Sequence, residues 1–274
     1  MPDISSLITR WWKQMLFLVV ISLVIAGVIV FFKPDQYLSV ATALAGNSLS
    51  SDKSRIFSQN IEGLYSDLGS PDELDVIVGT AQLDTIYLAV TDAFNLYDHY
   101  KIRNSDDGAR LKSAKKLKKN SRIIKSDYGE LKVKVWDTDR NLAPQLANAL
   151  MTELEHIHRN IKNSNNKKVL ESLQRVLSNN QNKIDSINFS QDKNTGTLKG
   201  SQEALLYQIE EYEKLSKQYR MIVDSNPPAL IIVETARPAL QPDKPKRLEI
   251  LVATAVLSLL FAFFVSLLFD RRKK

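Results

Sequence analysis

The residues able to do chemistry are few and widely spaced in this chain of 274 residues. His156 and His158 stand two apart in a helical pattern, which turns their side chains about 200° from each other, so they cannot chelate one ion. His99 follows Asp98 but has no third ligand nearby, and no Ser–His–acid order stands out. The sequence therefore predicts a protein that is not an enzyme and holds neither a metal ion nor another cofactor.

The sequence also argues against several other kinds of site. The segment nearest to a phosphate loop, residues 196–200 (GTLKG), has the wrong spacing of glycines and no Gly-Lys-Ser/Thr ending. The chain has no cysteine, which excludes thiolate metal sites, thiol catalysis and disulfides. Its formal net charge of +6 lies partly in the terminal tails and is too weak to predict a nucleic acid as partner.

The most charged stretch is residues 112–119, which has the pattern of a short helix rich in lysine. The simplest interpretation is a solvated helix face. The alternative is contact with an anionic polymer or with lipid headgroups, worth about 1 kcal/mol per cation near a charged surface. The candidate contact residues are Lys112, Lys115, Lys116, Lys118 and Lys119.

Two uncharged apolar runs, residues 15–32 and 250–269, determine on which side of a membrane the rest of the chain lies. About 20 apolar residues in a helix cover roughly 30 Å, the thickness of the hydrocarbon core of a bilayer, so both runs are predicted to span a membrane. The flanking tails, residues 1–14 and 270–274, are basic and are expected in the cytoplasm. A cleaved signal peptide is the alternative for the first run, but its candidate cleavage site, residues 43–45, lies far beyond the run.

The second run carries small residues at a spacing of four, which would form one stripe on a helix. Such stripes allow two helices to approach closely in lipid, so we expect this stripe to pack against the first run or a neighbouring subunit. A chance distribution of small residues is the competing interpretation. The stripe comprises Thr254, Ser258, Ala262 and Ser266, and the first run offers Ser22, Ala26 and Gly27.

The middle of the chain predicts an α+β fold. Residues 33–141 combine helical patterns with alternating strands, of which 130–136 is the clearest, and form an α/β base. Residues 142–221 show two long helical patterns joined by a loop at 190–200, a helical hairpin. Residues 222–249 hold a return strand and a proline-rich segment. The strands next to the two spans leave the same membrane surface and can therefore pair.

Three segments carry a resemblance to a known family. They are residues 33–37 (KPDQY) after the first span, residues 137–139 (DTD) leading into 147–150 (ANAL), and the proline-rich segment before the second span. The prolines of that segment are Pro238, Pro242 and Pro245. With the two terminal spans, these segments resemble the polysaccharide co-polymerases, the chain-length determinant (Wzz-type) proteins of bacterial envelopes.

The resemblance implies a bacterial inner-membrane protein with a periplasmic α/β membrane-proximal domain, a projecting helical hairpin and a homo-oligomeric ring. It implies a non-enzymatic regulator of the length, polymerisation or export of a surface polysaccharide (O-antigen, capsule or exopolysaccharide). The implied partners are a membrane polymerase and the polysaccharide or its lipid-linked precursor. The chain departs from the family in its short hairpin, and no kinase domain follows Asp270. The alternative is an envelope scaffold, or an adaptor that activates a separate tyrosine kinase, without action on glycan.

Overall fold

Two long apolar helices stand at the ends of the chain. The structure is a computed structural model, and it describes residues 4–46, 71–102, 107–189 and 196–272. Helix α1 runs from Ile4 to Phe32 and helix α8 from Arg247 to Arg272. Within them, the 22 residues Trp11–Phe32 and the 23 residues Arg247–Phe269 are long and apolar enough to cross a membrane. Because no proline interrupts the sequence after Ile4, α1 includes most of the segment expected as a tail; residues 1–3, 273 and 274 lie outside the described residues.

Between these helices the described residues form a sheet and six further helices. The helices are α2 (Pro71–Thr80), α3 (Asp84–Ala93), α4 (Leu96–His99), α5 (Asp107–Lys119), α6 (Leu142–Phe189) and α7 (Gly196–Ser225). The strands are β1 (Tyr37–Ala45), β2 (Ser121–Lys125), β3 (Leu131–Asp137) and β4 (Leu230–Glu234). Their order in the sheet is β2-β3-β1-β4. The predicted α+β fold with two terminal apolar helices is therefore confirmed.

The chain divides into two compact units. The first unit contains Met1–Ser39, Val135–Pro144 and Arg237–Lys274, and therefore both apolar helices. The second unit contains Val40–Lys134 and Gln145–Ala236, and therefore most of the sheet and of the hairpin.

The alternation in β3 decides which face of this strand is buried. Leu131, Val133 and Val135 are fully buried, whereas the lysines between them are half exposed, as period-two alternation predicts. Strand β1 pairs with β4 antiparallel, and Ala43 lies opposite Ile232. The predicted pairing of the strand after the first span with the strand before the second is thus confirmed.

The hairpin is formed by α6, of 48 residues, and α7, of 30 residues. From Met151 onward, buried positions recur along α6 at intervals of three, four, seven or eight residues, which keeps one narrow stripe covered. Those positions are Met151, Leu154, His158, Asn166, Leu173 and Asn180. Helix α7 continues four residues beyond the predicted end at residue 221. The loop predicted over residues 190–200 is wrong at its second half, because residues 196–200 already belong to α7, and residues 190–195 lie outside the described residues.

Helices α2, α3 and α5 bury their apolar faces within the second unit. Leu74 of α2, Ile86 of α3 and Leu117 of α5 are fully buried. Helices α2 and α3 meet at an angle of 65° and would count as one further apolar span only if this bent pair were taken together. Their buried side chains show that this apolar stretch contributes to the core of the second unit.

Candidate functional site

The collar is the part of the first unit that lies outside the two apolar helices, residues 33–39, 135–144 and 237–246. All three prolines singled out in the sequence lie in it. Pro238 and Pro242 are exposed, whereas Pro245 is half-buried and follows a cis peptide bond from Lys244. The proline-rich segment thus lies directly before α8, as its position in the sequence requires.

Backbone and side-chain hydrogen bonds hold the proline-rich segment against the start of β1. The amide of Gln36 donates to the carbonyl of Lys244 at 2.9 Å, and the amide of Asp243 donates to the carbonyl of Gln36 at 2.9 Å. Further along, the hydroxyl of Ser39 donates to the carbonyl of Arg237 at 2.9 Å. The segment that follows α1 and the segment that precedes α8 are therefore held together by hydrogen bonds next to the ends of these helices.

Trp136 is the aromatic centre of the collar. Its Nε1 donates to Oδ2 of Asp243 at 2.6 Å, and Nζ of Lys244 lies 3.7 Å from the centre of its ring, a cation–π contact. Sequence reasoning missed this cluster. The available signal was a tryptophan on the polar side of β3, beside Lys132 and Lys134, where an indole needs a partner for its N–H.

The acidic turn at residues 137–139 begins α6. Oδ1 of Asp139 accepts hydrogen bonds from the amides of Asn141 at 2.8 Å and Leu142 at 3.4 Å, which satisfies donors that have no partner within the helix. Oδ1 of Asp137 accepts in turn from the amide of Asp139 at 2.9 Å. The turn therefore fixes where the hairpin starts.

Helices α1 and α8 contact each other along their length in antiparallel orientation. At one end, the rings of Trp11 and Phe269 stack with centroids 5.9 Å apart. At the other end, Nη2 of Arg247 lies 2.9 Å from Oδ1 of Asp35. The start of α1 and the end of α8 therefore lie at the same end of this helix pair, and the collar lies at the other.

The small-residue stripe of α8 faces inward. Ser258, Ala262 and Ser266 are buried and Thr254 is half-buried, whereas the large apolar residues between them are mostly exposed. The three hydroxyl groups donate to carbonyls of their own helix, so none requires a partner on α1. On α1, Ser22, Ala26 and Gly27 are half-buried.

The five candidate lysines of α5 divide into two groups. Lys118 supports the fold, because its Nζ lies 2.8 Å from Oδ1 of Asp84 and 2.6 Å from the carbonyl of Gln82. This hydrogen bond, together with the positive charge, lowers the pKa of the Asp84 carboxyl. Nζ of Lys116 lies 4.4 Å from the ring centre of Tyr100. The remaining three, Lys112, Lys115 and Lys119, are exposed on the same side of the helix.

A polar cluster lies where α6 passes α2. Nζ of Lys162 lies 2.7 Å from Oε2 of Glu73 and donates to the carbonyl of Gly46 at 3.3 Å. His158, one turn earlier on α6, is buried, and its Nε2 has no hydrogen-bond partner among the described residues. Burial and, second, the charge of Lys162 lower the pKa of His158, so its imidazole is held neutral. His156 is exposed, as the two-residue spacing on a helix requires.

Asn148 connects α6 to the segment that follows β4. Its Oδ1 accepts from the amide of Ala236 at 2.8 Å, and its Nδ2 donates to the carbonyl of the same residue at 3.3 Å. An asparagine side chain here completes the hydrogen bonds of a backbone segment that has left the sheet. This residue belongs to the ANAL segment quoted above, but its partner lies 88 positions away and no local pattern indicates it.

Within the described ranges, no group of three His, Cys, Asp or Glu side chains is arranged to hold a metal ion. The hydrogen bonds, ion pairs and ring contacts described above have a structural effect: they fix the helix pair, the collar and the start of the hairpin.

No protein-family model matches the sequence, and the search of curated proteins gave no match. Solved structures do match. The chain is similar to polysaccharide co-polymerases. A full-length bacterial polysaccharide co-polymerase aligns over 100% of this chain and 98% of its own, with 12% identity and a TM-score of 0.42. A fragment of WzzB, a polysaccharide co-polymerase from Salmonella Typhimurium, aligns over 77% of this chain and 100% of its own, with 14% identity and a TM-score of 0.29. Both are of the family that the sequence resembles.

Proposed function

We propose that this chain is an oligomeric inner-membrane regulator of surface-polysaccharide length, with residues 33–246 on the periplasmic side. It acts without catalysis, as a homo-oligomeric ring beside a membrane polymerase. The glycan is an O-antigen, a capsule or an exopolysaccharide, met as the polymer or as its lipid-linked precursor.

One observation carries the proposal, the antiparallel pairing of α1 and α8 with contacts at both ends. The Trp11–Phe269 stack and the Arg247–Asp35 pair require that both tails leave one end of the helix pair. Since both tails are basic, that end is assigned to the cytoplasm. The long central part is then displayed outside the cytoplasm, as in the family that the sequence resembles.

The exposed lysines of α5 are proposed as the place where this display meets an anionic polymer. Lysines three or four positions apart on a helix repel each other by about 0.2–0.5 kcal/mol per pair. None of these lysines has an acidic residue three or four positions away on α5, and Asp84 of α3 offsets only part of the charge, that of Lys115. A bound polyanion would relieve the repulsion, whereas Ala114 and Leu117 of the apolar face are buried and are not free to enter a bilayer.

Replacement of three lysines by glutamine distinguishes polymer binding from a solvated helix face that binds nothing. The test variant changes Lys112, Lys115 and Lys119, and a matched control changes three exposed lysines of α6, Lys167, Lys168 and Lys183. We expect the test variant alone to alter the length distribution of the polysaccharide. Equal distributions for both variants would remove α5 from the proposal.

The function itself is tested by gene deletion in the source organism, followed by gel analysis of its surface polysaccharide. We expect a changed length distribution that the intact gene restores. Normal lengths together with loss of an envelope complex or of a tyrosine-kinase activity would instead identify a scaffold or an adaptor.

The orientation is tested by single cysteines, since the chain has none of its own. A reagent that cannot cross the inner membrane should label Tyr128→Cys, at an exposed turn, and should spare Lys273→Cys. Labelling of the tail alone would reverse the topology and end the proposal.

A further inference from the structure

A loop of the collar presents an apolar side chain to its surroundings. The proline loop is defined as residues 238–243. Its base is fixed on both sides, by Ser39 bonded to Arg237 and by Gln36 bonded to Asp243 and Lys244. Only two residues of β1 separate Gln36 from Ser39, whereas six residues separate Arg237 from Lys244. The proline loop therefore cannot follow the strand and must project from it.

Leu240 stands at the middle of the proline loop and is 86% exposed. Pro238 and Pro242 lie two positions on either side of it, and proline fixes φ near −65° and so limits the conformations of the loop. A loop ordered in this way does not lose much further entropy when its tip is bound. An exposed leucine held out by such a loop is a feature of contact surfaces.

The root of the proline loop is close to the ends of both apolar helices. Gln36 is four residues beyond Phe32, at most about 13 Å when extended, and Arg247 is three residues beyond Lys244, at most about 10 Å. Phe32 is 80% exposed and Leu248 is 76% exposed, so apolar side chains at both helix ends continue toward the loop. The headgroup layer is about 5–8 Å thick on each side of the hydrocarbon core, within reach of the loop tip.

The charges around the proline loop suit a layer of lipid phosphates. Two acidic groups next to the helix ends are paired with cations, Asp35 with Arg247 and Glu249 with Lys246, and Asp243 accepts a hydrogen bond from Trp136. Lys33 and Arg237 make no ion pair among the described residues, which leaves positive charge facing outward. An apolar residue beside unpaired cations is the combination that binds a membrane interface.

We propose that the proline loop is a membrane-interface anchor. In it, Leu240 inserts between the headgroups and the first acyl carbons of the leaflet from which the collar emerges, and Lys33 and Arg237 contact lipid phosphates. The anchor would fix the height and tilt of the collar above the bilayer. The inference needs only that α1 and α8 span a membrane, and it does not depend on the polysaccharide role.

Site-directed spin labelling tests the depth of Leu240. The probe is a nitroxide on Leu240→Cys of the full chain, in nanodiscs of phosphatidylethanolamine and phosphatidylglycerol. Collision with oxygen, which concentrates in lipid, is compared with collision with a water-soluble nickel chelate. Phe32→Cys serves as the lipid reference, Tyr128→Cys as the water reference, and Gln241→Cys as the matched position in the same loop.

We expect the ratio of oxygen to nickel collisions at Leu240→Cys to exceed that at Gln241→Cys severalfold and to approach that at Phe32→Cys. A ratio equal to that at Tyr128→Cys would place the tip in water and overturn the anchor. An immobile label protected from both reagents would show a protein partner, another copy included, and would overturn it equally. Because all four positions are exposed, circular dichroism is expected to show an unchanged fold.

Discussion

Gly46 closes the end of β1 against the segment before β4, and it has no room for a side chain. A Cβ atom built at this position would lie 2.1 Å from the carbonyl oxygen of Pro228 and 3.2 Å from the carbonyl carbon of Ala229. Both are backbone atoms, so no flexible side chain can move aside. The amide of Gly46 also donates to the carbonyl of Ala229 at 2.9 Å. Gly46→Ala must therefore shift two backbone segments apart.

The cost follows from two effects. Overpacking that forces backbone shifts typically costs about 1–3 kcal/mol, occasionally more. Weakening of the hydrogen bond from Gly46 to Ala229 by this shift adds about 1 kcal/mol to the cost. We expect Gly46→Ala to lower the free energy of unfolding of the second unit by about 2–4 kcal/mol. For a unit of this size, each 1 kcal/mol lowers the melting temperature by about 2–4 °C, so we expect a loss of about 4–16 °C.

Gly79→Ala is the matched control. A Cβ atom at Gly79 would meet nothing within 4 Å, and Gly79 lies in α2, where alanine is the better helix former by up to about 1 kcal/mol. Thermal unfolding of the full chain in detergent, followed by circular dichroism, should show a lower midpoint for Gly46→Ala and an equal or higher one for Gly79→Ala. Equal midpoints for Gly46→Ala and the unmodified chain would refute the steric reasoning, as would a comparable loss in the control.

Three further changes test other contacts. Because the pKa of His158 is lowered in the folded chain, the unfolded chain binds more protons than the folded chain below about pH 6.5, and the free energy of unfolding falls as the pH drops below that value. Urea unfolding at pH 7.5 and 5.5 should show that this drop in pH costs His158→Gln less stability than the unmodified chain, and equal losses would contradict the assignment. Lys162→Met should destabilise the second unit by about 2–4 kcal/mol, because it removes the cation 2.7 Å from the mostly buried carboxylate of Glu73. The double variant Lys162→Met with Glu73→Gln should recover part of this loss in the same assay. Ala262→Leu, at a buried position of α8, should separate α1 from α8 and lower the midpoint of thermal unfolding, whereas Val256→Leu, at an exposed position, should not; equal midpoints would argue against the packing.

The elements of this fold were predictable because each has a local periodicity. The uncharged runs of α1 and α8 need only a count of residues, and the alternation in β3 is visible over seven residues. The pairing of β1 with β4 also followed from the sequence, since a chain that leaves and re-enters one membrane surface brings those strands together. Boundaries were less accurate: α1 begins earlier than its pattern indicated, and α7 both begins earlier and ends later.

The contacts within the site were not predictable, because periodicity identifies a buried face but not what covers it. The hydrogen bonds of Asn148 to Ala236 and of Trp136 to Asp243 join residues 88 and 107 positions apart. The steric role of Gly46 depends on a carbonyl group nearly two hundred positions away, which no pattern around it reveals. The five lysines of α5 looked equivalent in sequence, and only tertiary contacts, such as those of Lys118 with Asp84 and with the carbonyl of Gln82, separate them.

The collar holds the two ends of the central part together, and its contacts are unequal in strength. The Arg247–Asp35 pair joins side chains that are 47% and 37% exposed, and ion pairs so exposed contribute about 0–1 kcal/mol. The backbone bonds between Gln36 and the chain at Asp243 and Lys244 are each worth about 1 kcal/mol net, but they need the two chains already side by side. That condition is met by the packing of α1 against α8, where close approach of small residues takes the place of a hydrophobic driving force. The hydrogen bonds of the collar therefore depend on the packing of α1 against α8, and the Arg247–Asp35 pair adds little to that packing.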